Sequence, residues 1–211
     1  MQIQTLQSNN RGEVLLIKKE KKTSKSIVLK VSSGSRLQNE SRLHFELYKK
    51  IPERCRKFVV KPLKVTKTIA AKFPSSYIHA MEHVHGIEFI RILKSSSIKK
   101  EFKMKLIKEL RKVVMCLWKN GFIHGDLHFH NVMVLKKGET YQIKLIDFGH
   151  SRRVTPLKKV SEKDAWFKSH WDAYKNTWGG NPNSVVFGTK IPMYAKTHKN
   201  IINNVMKKRS R

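Results

Sequence analysis

Acidic residues and cysteines are scarce in this chain. Of its 211 residues, 15 are Asp or Glu and 45 are Lys or Arg, which gives a formal net charge of +30. The two cysteines, Cys55 and Cys116, form no CxxC pair, which excludes a disulfide scaffold and predicts free thiols. No apolar run approaches the roughly 20 residues that span a bilayer, and the first residues do not resemble a signal peptide. We therefore expect an intracellular protein, cytoplasmic or nuclear or, if viral, in the host cell or virion.

The excess of basic residues indicates the kind of partner rather than the activity. A field of this sign concentrates polyanions near the protein surface, and nucleic acid is the commonest of them. Acidic protein substrates are attracted by the same field. Hydrophobic residues make up 39% of the chain, which is enough for a core and too many for a disordered basic tail. The composition predicts a folded protein with acidic or nucleic-acid-associated partners, non-specific nucleic acid binding and no membrane partner.

The first 85 residues have the pattern of a small sheet with one helix. Apolar runs between turn clusters predict short strands, at 3–6, 14–17, 26–31, 58–60, 65–71 and 77–81. A helical spacing of apolar residues predicts a helix over 36–51, which Pro52 closes. The fold class of this part is antiparallel β with one helix.

The pattern changes after residue 85. A long amphipathic stripe with many Lys residues on its solvent face predicts a helix over 98–119, ended by Asn120 and Gly121. Two short strands follow over 132–135 and 142–146, and the chain ends in a basic tail at 207–211. The whole chain is therefore predicted to be α+β.

Two polar segments stand out in the second part. The first, 123–131, places the carboxylate of Asp126 and the carboxamide of Asn131 five residues apart on a tight loop after a helix. The second, 145–149, places Asp147 at the end of a strand, before Phe148 and a permissive glycine. Because hard cations take oxygen ligands, these side chains are suited to Mg²⁺ and a triphosphate.

These segments resemble the catalytic loop and metal-binding motif of the protein kinase-like superfamily. The pattern H-G-D-L-x-x-x-N followed by I-D-F-G carries the resemblance. It is similar above all to compact atypical Ser/Thr protein kinases, such as RIO kinases, the small kinase of the tRNA-threonylcarbamoylation complex and small viral kinases. The resemblance implies a bilobal fold, with an N-lobe over 1–85 and a truncated, mainly helical C-lobe over 86–211. It also implies transfer of the γ-phosphoryl group of ATP to Ser or Thr hydroxyls of proteins, with Mg²⁺.

The resemblance gives roles to the residues of the two segments. Asp126 would orient the attacking hydroxyl and accept its proton, while Asn131 and Asp147 would hold the metal that bridges the phosphates. His124 would be structural, packing against the Asp-Phe-Gly segment. His128 stands where conventional protein kinases have Lys, and this H-G-D-L-H form is closer to atypical and small-molecule kinases.

The resemblance also assigns an ion pair in the first part. The strand Val28-Leu29-Lys30 resembles V-A-I-K, so Lys30 would pair with the α- and β-phosphates. Its acidic partner on the next helix is either Glu40 or Glu46. Glu40 is favoured because it shares a helix face with apolar residues, whereas Glu46 has Lys residues three and four positions on, which indicates solvent.

Two further segments complete the implied nucleotide site. Residues 81–86, M-E-H-V-H-G, resemble the linker between kinase lobes, so backbone groups of Glu82 and Val84 would hydrogen-bond adenine. The loop over 8–13, which would cover the phosphates, contains a single glycine, Gly12, instead of G-x-G-x-x-G.

Two alternative functions are left open. A small-molecule phosphotransferase, similar to aminoglycoside or choline kinases, is motivated by His128. A nucleic-acid-binding protein on a degenerate kinase scaffold is motivated by the positive charge and the missing glycines.

Overall fold

The computed structural model describes residues 2–10, 12–18, 26–127, 129–138 and 140–153. They belong to two compact units, the first ending at His85 and the second beginning at Gly86. The basic tail predicted at 207–211 lies outside the described residues.

The first unit is built on a five-stranded antiparallel sheet. Its strands and helices follow in chain order as β1 (Gln2–Asn9), β2 (Gly12–Lys18), β3 (Ile27–Ser32), α1 (Arg36–Lys50), α2 (Glu53–Arg56), β4 (Pro62–Leu63), α3 (Lys67–Ala70) and β5 (Tyr77–Glu82). The spatial order of the strands is β1-β2-β3-β5-β4. Short strands joined by turns favour this antiparallel arrangement, because parallel strands need long crossover connections.

One face of this sheet carries the core of the first unit. Leu15, Leu29 and Ala80 lie opposite one another in the registers of β2, β3 and β5, and each is almost fully buried. Val65, Ile69 and Phe73, from the segment that contains α3, pack against this cluster. Alternate residues of a strand point to opposite faces, so Lys30 and His79 lie on the other face of the sheet.

The helix predicted over 36–51 is confirmed as α1. Leu37 and Leu47 are buried, and Ile51 after the helix has a ψ of 143°. The residue before a proline is pushed out of the helical region, so Pro52 ends the helix where the sequence predicted.

The strand predicted over 65–71 is wrong. Residues Lys67–Ala70 form a helical turn, and the backbone N–H of Ile69 donates to the Thr66 hydroxyl at 3.4 Å. The β-branched residues in this stretch favoured a strand, but Thr66 caps the first turn of a helix instead.

The second unit combines two helices with two small sheets. Its elements are β6 (Ile87–Glu88), α4 (Phe89–Lys94), α5 (Lys100–Lys119), β7 (Phe122–Ile123), a 3₁₀ turn (Phe129–Asn131), β8 (Val132–Lys137), β9 (Thr140–Leu145) and β10 (Arg152–Arg153). Strands β6, β8 and β9 form one sheet, and β7 pairs with β10 in the other. The predicted α+β class is confirmed, although α4 was not predicted.

Helix α5 has the amphipathic pattern that its sequence predicted. Leu106, Leu110, Val113 and Leu117 are buried at helical spacing. Exposed lysines cover the opposite side, among them Lys100, Lys105, Lys108 and Lys112. Glu109 pairs with Lys112 on this lysine surface, at 2.8 Å between Oε1 and Nζ.

Two expectations from composition have different outcomes. Within the described ranges, every helix is too short or too polar to cross a bilayer. The prediction of free thiols is wrong, because neither Cys55 nor Cys116 is a free thiol in the structure. Spacing along the chain does not report the state of a thiol.

Gly12 begins β2 and is required there by its surroundings. Its φ is +131°, and a Cβ at this position would lie 2.2 Å from the carbonyl oxygen of Val31 on β3. Other residue types rarely adopt such a φ, and backbone cannot retreat as a flexible side chain can. The packing of two strands therefore explains this glycine without any ligand.

We expect Gly12→Ala to lower the free energy of unfolding by about 2–3 kcal/mol, the size typical of strain combined with overpacking. Gly138→Ala is the matched control, because Gly138 has a φ of +58° and nothing within 4 Å of the added Cβ. That control should lose only about 1 kcal/mol. Urea unfolding of both variants measures the difference, and equal losses would show that contact with Val31 is unimportant.

Candidate active site

Lys30 and Glu40 form a partly buried ion pair in the first unit. The Lys30 Nζ lies 2.6 Å from Glu40 Oε1, and the two side chains are 17% and 8% exposed. Lys30 is on β3 and Glu40 on α1, so the pair links this helix to the sheet. A charge-assisted bond of this length with little solvent is strong, and removal of one partner would leave a costly buried charge.

Glu46, the other candidate partner, is engaged elsewhere. Its Oε1 lies 3.0 Å from the Nζ of Lys50, one helical turn further along α1. The Lys50 side chain is exposed, so this is a surface pair of the kind that contributes little stability. Of the two glutamates, the structure thus brings Glu40 to Lys30.

The linker residues Glu82 and Val84 lie at the end of the first unit. The backbone N–H of Glu82 donates to the Lys61 carbonyl at 2.9 Å, and its carboxylate accepts from the Lys61 N–H at 2.9 Å. The backbone N–H of His83 donates to the Ser26 carbonyl at 3.2 Å. Hydrogen bonds therefore fix the backbone of Glu82 and His83. Val84, the next residue, is half-buried.

The pKa of the His83 side chain in this segment is lowered by its surroundings. Burial lowers the pKa of His83, and the nearby His85 and Lys18 lower it further. The rings of His83 and His85 pack edge to face with centroids 4.1 Å apart. A lowered pKa favours the neutral imidazole at pH 7, so the linker carries little positive charge from this ring.

In the second unit, His124 ties the two polar segments together. Its ring is 2% exposed, Nε2 donates to the Ile146 carbonyl at 2.8 Å, and Nδ1 accepts from the Asp126 N–H at 3.4 Å. A carbonyl only accepts hydrogen bonds, so Nε2 carries the proton and Nδ1 is the acceptor. The ring also contacts Phe148, with centroids 4.7 Å apart, as the resemblance implied.

Gly125 permits a close approach that the sequence did not reveal. Its φ is +83°, and a Cβ would lie 2.0 Å from the carbonyl oxygen of His150. The Ser151 hydroxyl donates to the His124 carbonyl at 3.0 Å, and β10 pairs with β7. His150 and Ser151 thus hold the Asp-Phe-Gly segment against the loop. The glycine between His124 and Asp126 is the one feature of the sequence from which this contact could have been inferred.

Asp126 and Asn131 are linked through the backbone of the loop. The Asn131 side chain is almost buried, and its Nδ2 donates to the Asp126 carbonyl at 2.9 Å. The Asn131 carbonyl in turn accepts from the Ile146 N–H at 2.9 Å. These bonds fix the loop that carries the Asp126 carboxylate and set the orientation of the Asn131 amide.

Asp147 adopts an unusual backbone conformation after β9. Its φ is +61°, and its Oδ1 accepts from the Gly149 N–H at 3.2 Å. Asp and Asn tolerate the left-handed region better than other side chains, partly because they can bond their own backbone in this way. The conformation orients the carboxylate differently from that of an ordinary strand residue.

The donors of this site fit a hard cation. Asn131 and Asp147 offer an amide and a carboxylate, and oxygen is the ligand atom that Mg²⁺ prefers. In the part of the chain that the structure describes, no three His, Cys, Asp or Glu side chains are arranged to hold a metal by themselves. Two protein ligands are typical of Mg²⁺ that is completed by phosphate and water oxygens.

Of the predicted site residues, His128 is the one whose position the structure does not give. His128 lies outside the described residues. Its neighbour His130 is exposed and lies 3.3 Å, Nδ1 to Oε2, from Glu88.

The partly buried Lys30–Glu40 pair of the first unit, and in the second unit the Asp126 loop bonded to the Asp-Phe-Gly segment, are each of a kind that phosphoryl-transfer enzymes contain. The sequence of residues 3–173 matches the family model described as protein kinase domain. The chain therefore belongs to the protein kinase family, and the protein is a kinase. The predicted membership of the protein kinase-like superfamily and the predicted α+β fold class are thereby confirmed.

Proposed function

We propose that this protein is a Ser/Thr protein kinase that transfers the γ-phosphoryl group of Mg²⁺-ATP to hydroxyls of acidic protein substrates. One observation carries the proposal: His124 and Asn131 bond the loop of Asp126 to the strand end that presents Asp147. Phosphoryl transfer depends mainly on positioning and on stabilisation of charge, so an ordered loop with two carboxylates is what the reaction needs.

The proposed proton acceptor is Asp126. Its carboxylate lies on a loop whose backbone is fixed at both the N–H and the carbonyl, by His124 and Asn131. A fixed carboxylate holds a substrate hydroxyl in line for attack and receives its proton as the oxygen becomes a phosphate ester.

The proposed metal ligands are Asn131 and Asp147. Bound Mg²⁺ supplies positive charge that offsets the developing charge on the phosphates. The Nδ2 bond of Asn131 orients its amide, and the Gly149 bond of Asp147 orients its carboxylate. Pre-set orientation lowers the entropic cost of binding the cation.

The proposed nucleotide contacts lie in the first unit. Lys30, held by Glu40, binds the α- and β-phosphates, and backbone groups of Glu82 and Val84 bind adenine. Gly12 permits close packing of its strand and leaves phosphate contacts there to backbone N–H groups. Residues 1–85 would be the nucleotide-binding lobe, and residues 86–211 would be the catalytic lobe.

The proposed preference for acidic substrates rests on charge. The formal net charge is +30, and helix α5 exposes lysines along one side, including Lys105, Lys108 and Lys112. Such a surface raises the local concentration of negatively charged partners and accelerates their association.

Radiolabelled ATP with a panel of casein, histones, choline, an aminoglycoside and the protein itself tests the proposal. We expect transfer to casein, phosphoserine or phosphothreonine in its hydrolysate, and a lower KM for casein than for histones. Because screening weakens surface charges, the KM for casein should rise as the salt concentration rises.

Other outcomes distinguish the alternatives. Transfer to choline or the aminoglycoside without transfer to protein would favour a small-molecule phosphotransferase. Binding of Mg²⁺-ATP with no transfer to any acceptor, together with nucleic acid affinity that falls steeply with salt, would favour a binding protein on a kinase scaffold.

A further inference from the structure

Two fully buried histidines lie beside the Lys30–Glu40 pair. His44 on α1 and His79 on β5 are both 0% exposed. His44 Nδ1 lies 2.9 Å from His79 Nε2, and His44 Nε2 lies 2.9 Å from the Val60 carbonyl oxygen. Buried polar rings cost desolvation that an aliphatic pair would avoid, so this arrangement calls for an explanation beyond packing.

The histidines and the ion pair occupy neighbouring positions on the same elements. His79 is opposite Lys30 in the register of β3 and β5, and directly opposite side chains of antiparallel strands share a face. His44 follows Glu40 by four residues on α1, so the two lie one turn apart on one side of the helix. The His44–His79 bond and the Lys30–Glu40 bond therefore join α1 to the sheet at adjacent points.

The direction of these hydrogen bonds follows from chemistry. The Val60 carbonyl only accepts, so His44 Nε2 carries a proton. In the neutral ring, His44 Nδ1 is then an acceptor, and His79 Nε2 donates to it. Two hydrogen bonds thus form a chain: His79 on the sheet donates to His44 on the helix, and His44 donates to the Val60 carbonyl before β4.

We propose that His44 and His79 are positioning residues that set the rotation of α1 on the sheet and so keep Glu40 at Lys30. Apolar packing is non-directional and would hold the helix without fixing its rotation. A hydrogen bond constrains both distance and angle. The His44–His79 bond can therefore hold Glu40, one helical turn before His44, at the 2.6 Å distance from Lys30. The inference rests on the proposed role of Lys30 in binding nucleotide phosphates.

Steady-state kinetics of His79 variants test the inference in the full-length chain. His79→Leu keeps the volume and removes the donor, and we expect kcat/KM for ATP to fall about tenfold, as for a small displacement of a binding group. His79→Gln keeps a donor near the position of Nε2 and should stay within about threefold of wild type. Ile17→Val, in the core on the opposite face of the sheet, is the control; it should lower the melting temperature without changing kcat/KM.

A double-mutant cycle with Glu40→Gln separates positioning from general damage. If the histidines act through the ion pair, His79→Leu should lower kcat/KM by less than about twofold when Glu40 is already Gln. The same tenfold loss in both backgrounds would overturn the inference.

Two further comparisons keep the test decisive. If His79→Leu does not fold, His44→Asn, which keeps an acceptor near Nδ1, should stay active, while His44→Gln, which reaches toward Val60, should lose activity. Equal activity of these two variants would contradict the positioning role.

A Lys30→Met variant distinguishes the two proposals. If Lys30→Met binds ATP as tightly as the wild type does, the proposed role of Lys30 is refuted. If Lys30→Met loses ATP affinity but His79→Leu is fully active, only the positioning inference is refuted.

Discussion

Asp126→Asn should reduce phosphoryl transfer roughly 1,000-fold, within the range that a positioned proton acceptor contributes. Two hydrogen bonds that order this loop use the backbone N–H and carbonyl of Asp126, and both can remain in the Asn variant. The substitution therefore removes the proton acceptor and leaves the loop in place. Initial rates of transfer from radiolabelled ATP to casein measure the effect.

The same variant should bind nucleotide as the wild type does. Its free energy of unfolding should fall by about 1 kcal/mol or less, because Asn matches Asp in size and keeps the two backbone bonds of this residue. Fluorescent-nucleotide titration and thermal melting check both points. A variant that keeps more than a tenth of the wild-type rate would show that Asp126 is not the proton acceptor.

The second large effect is expected at Asp147. Asp147→Asn should lower kcat/KM by about 100–1,000-fold, because it removes a negative charge at the position where we propose the cation is held. Asn tolerates the φ of +61° found at this residue and can accept the bond from the Gly149 N–H. The loss should be partly recovered at high Mg²⁺ concentration, which a Mg²⁺ titration of the transfer rate measures.

Asp147→Ala is the informative comparison for this position. It removes the charge, the bond to Gly149 and the tolerance of a positive φ together, so it should also lower the free energy of unfolding by about 1 kcal/mol or more. Similar stability of the two variants would mean that the bond to Gly149 contributes little. Full activity of Asp147→Asn without extra Mg²⁺ would contradict a role in holding the metal.

The sequence predicted those parts of the fold that depend on patterns of neighbouring residues. Strands β1, β2, β3 and β5, together with α1 and α5, follow from alternation, helical spacing and a proline, each of which acts within a few residues. The strand predicted at 58–60 is wrong, and the structure places β4 at Pro62–Leu63 instead. The polar segments around Asp126 and Asp147 were found in the same way, because their spacing is short. The wrong strand at 65–71 shows the limit, since one cap at Thr66 outweighed β propensity.

Features that depend on distant residues were not predicted. The His44–His79 bond joins residues 35 positions apart, and neither histidine differs in sequence context from an ordinary one. The contact between Gly125 and His150 likewise needs β7 and β10 to pair. The choice of Glu40 rested on helix faces, and only the fold supplies the distance to Lys30.

The position between His124 and Asp126 bears on how this loop could have diverged from conventional protein kinases, which have Arg there in H-R-D. With the His150 carbonyl 2.0 Å from where a Cβ would stand, no side chain can be accommodated while residues 150–153 keep their course. A single codon change to Arg would therefore collide with the main chain. In this protein the change to Arg therefore requires a compensating shift of the backbone after Gly149.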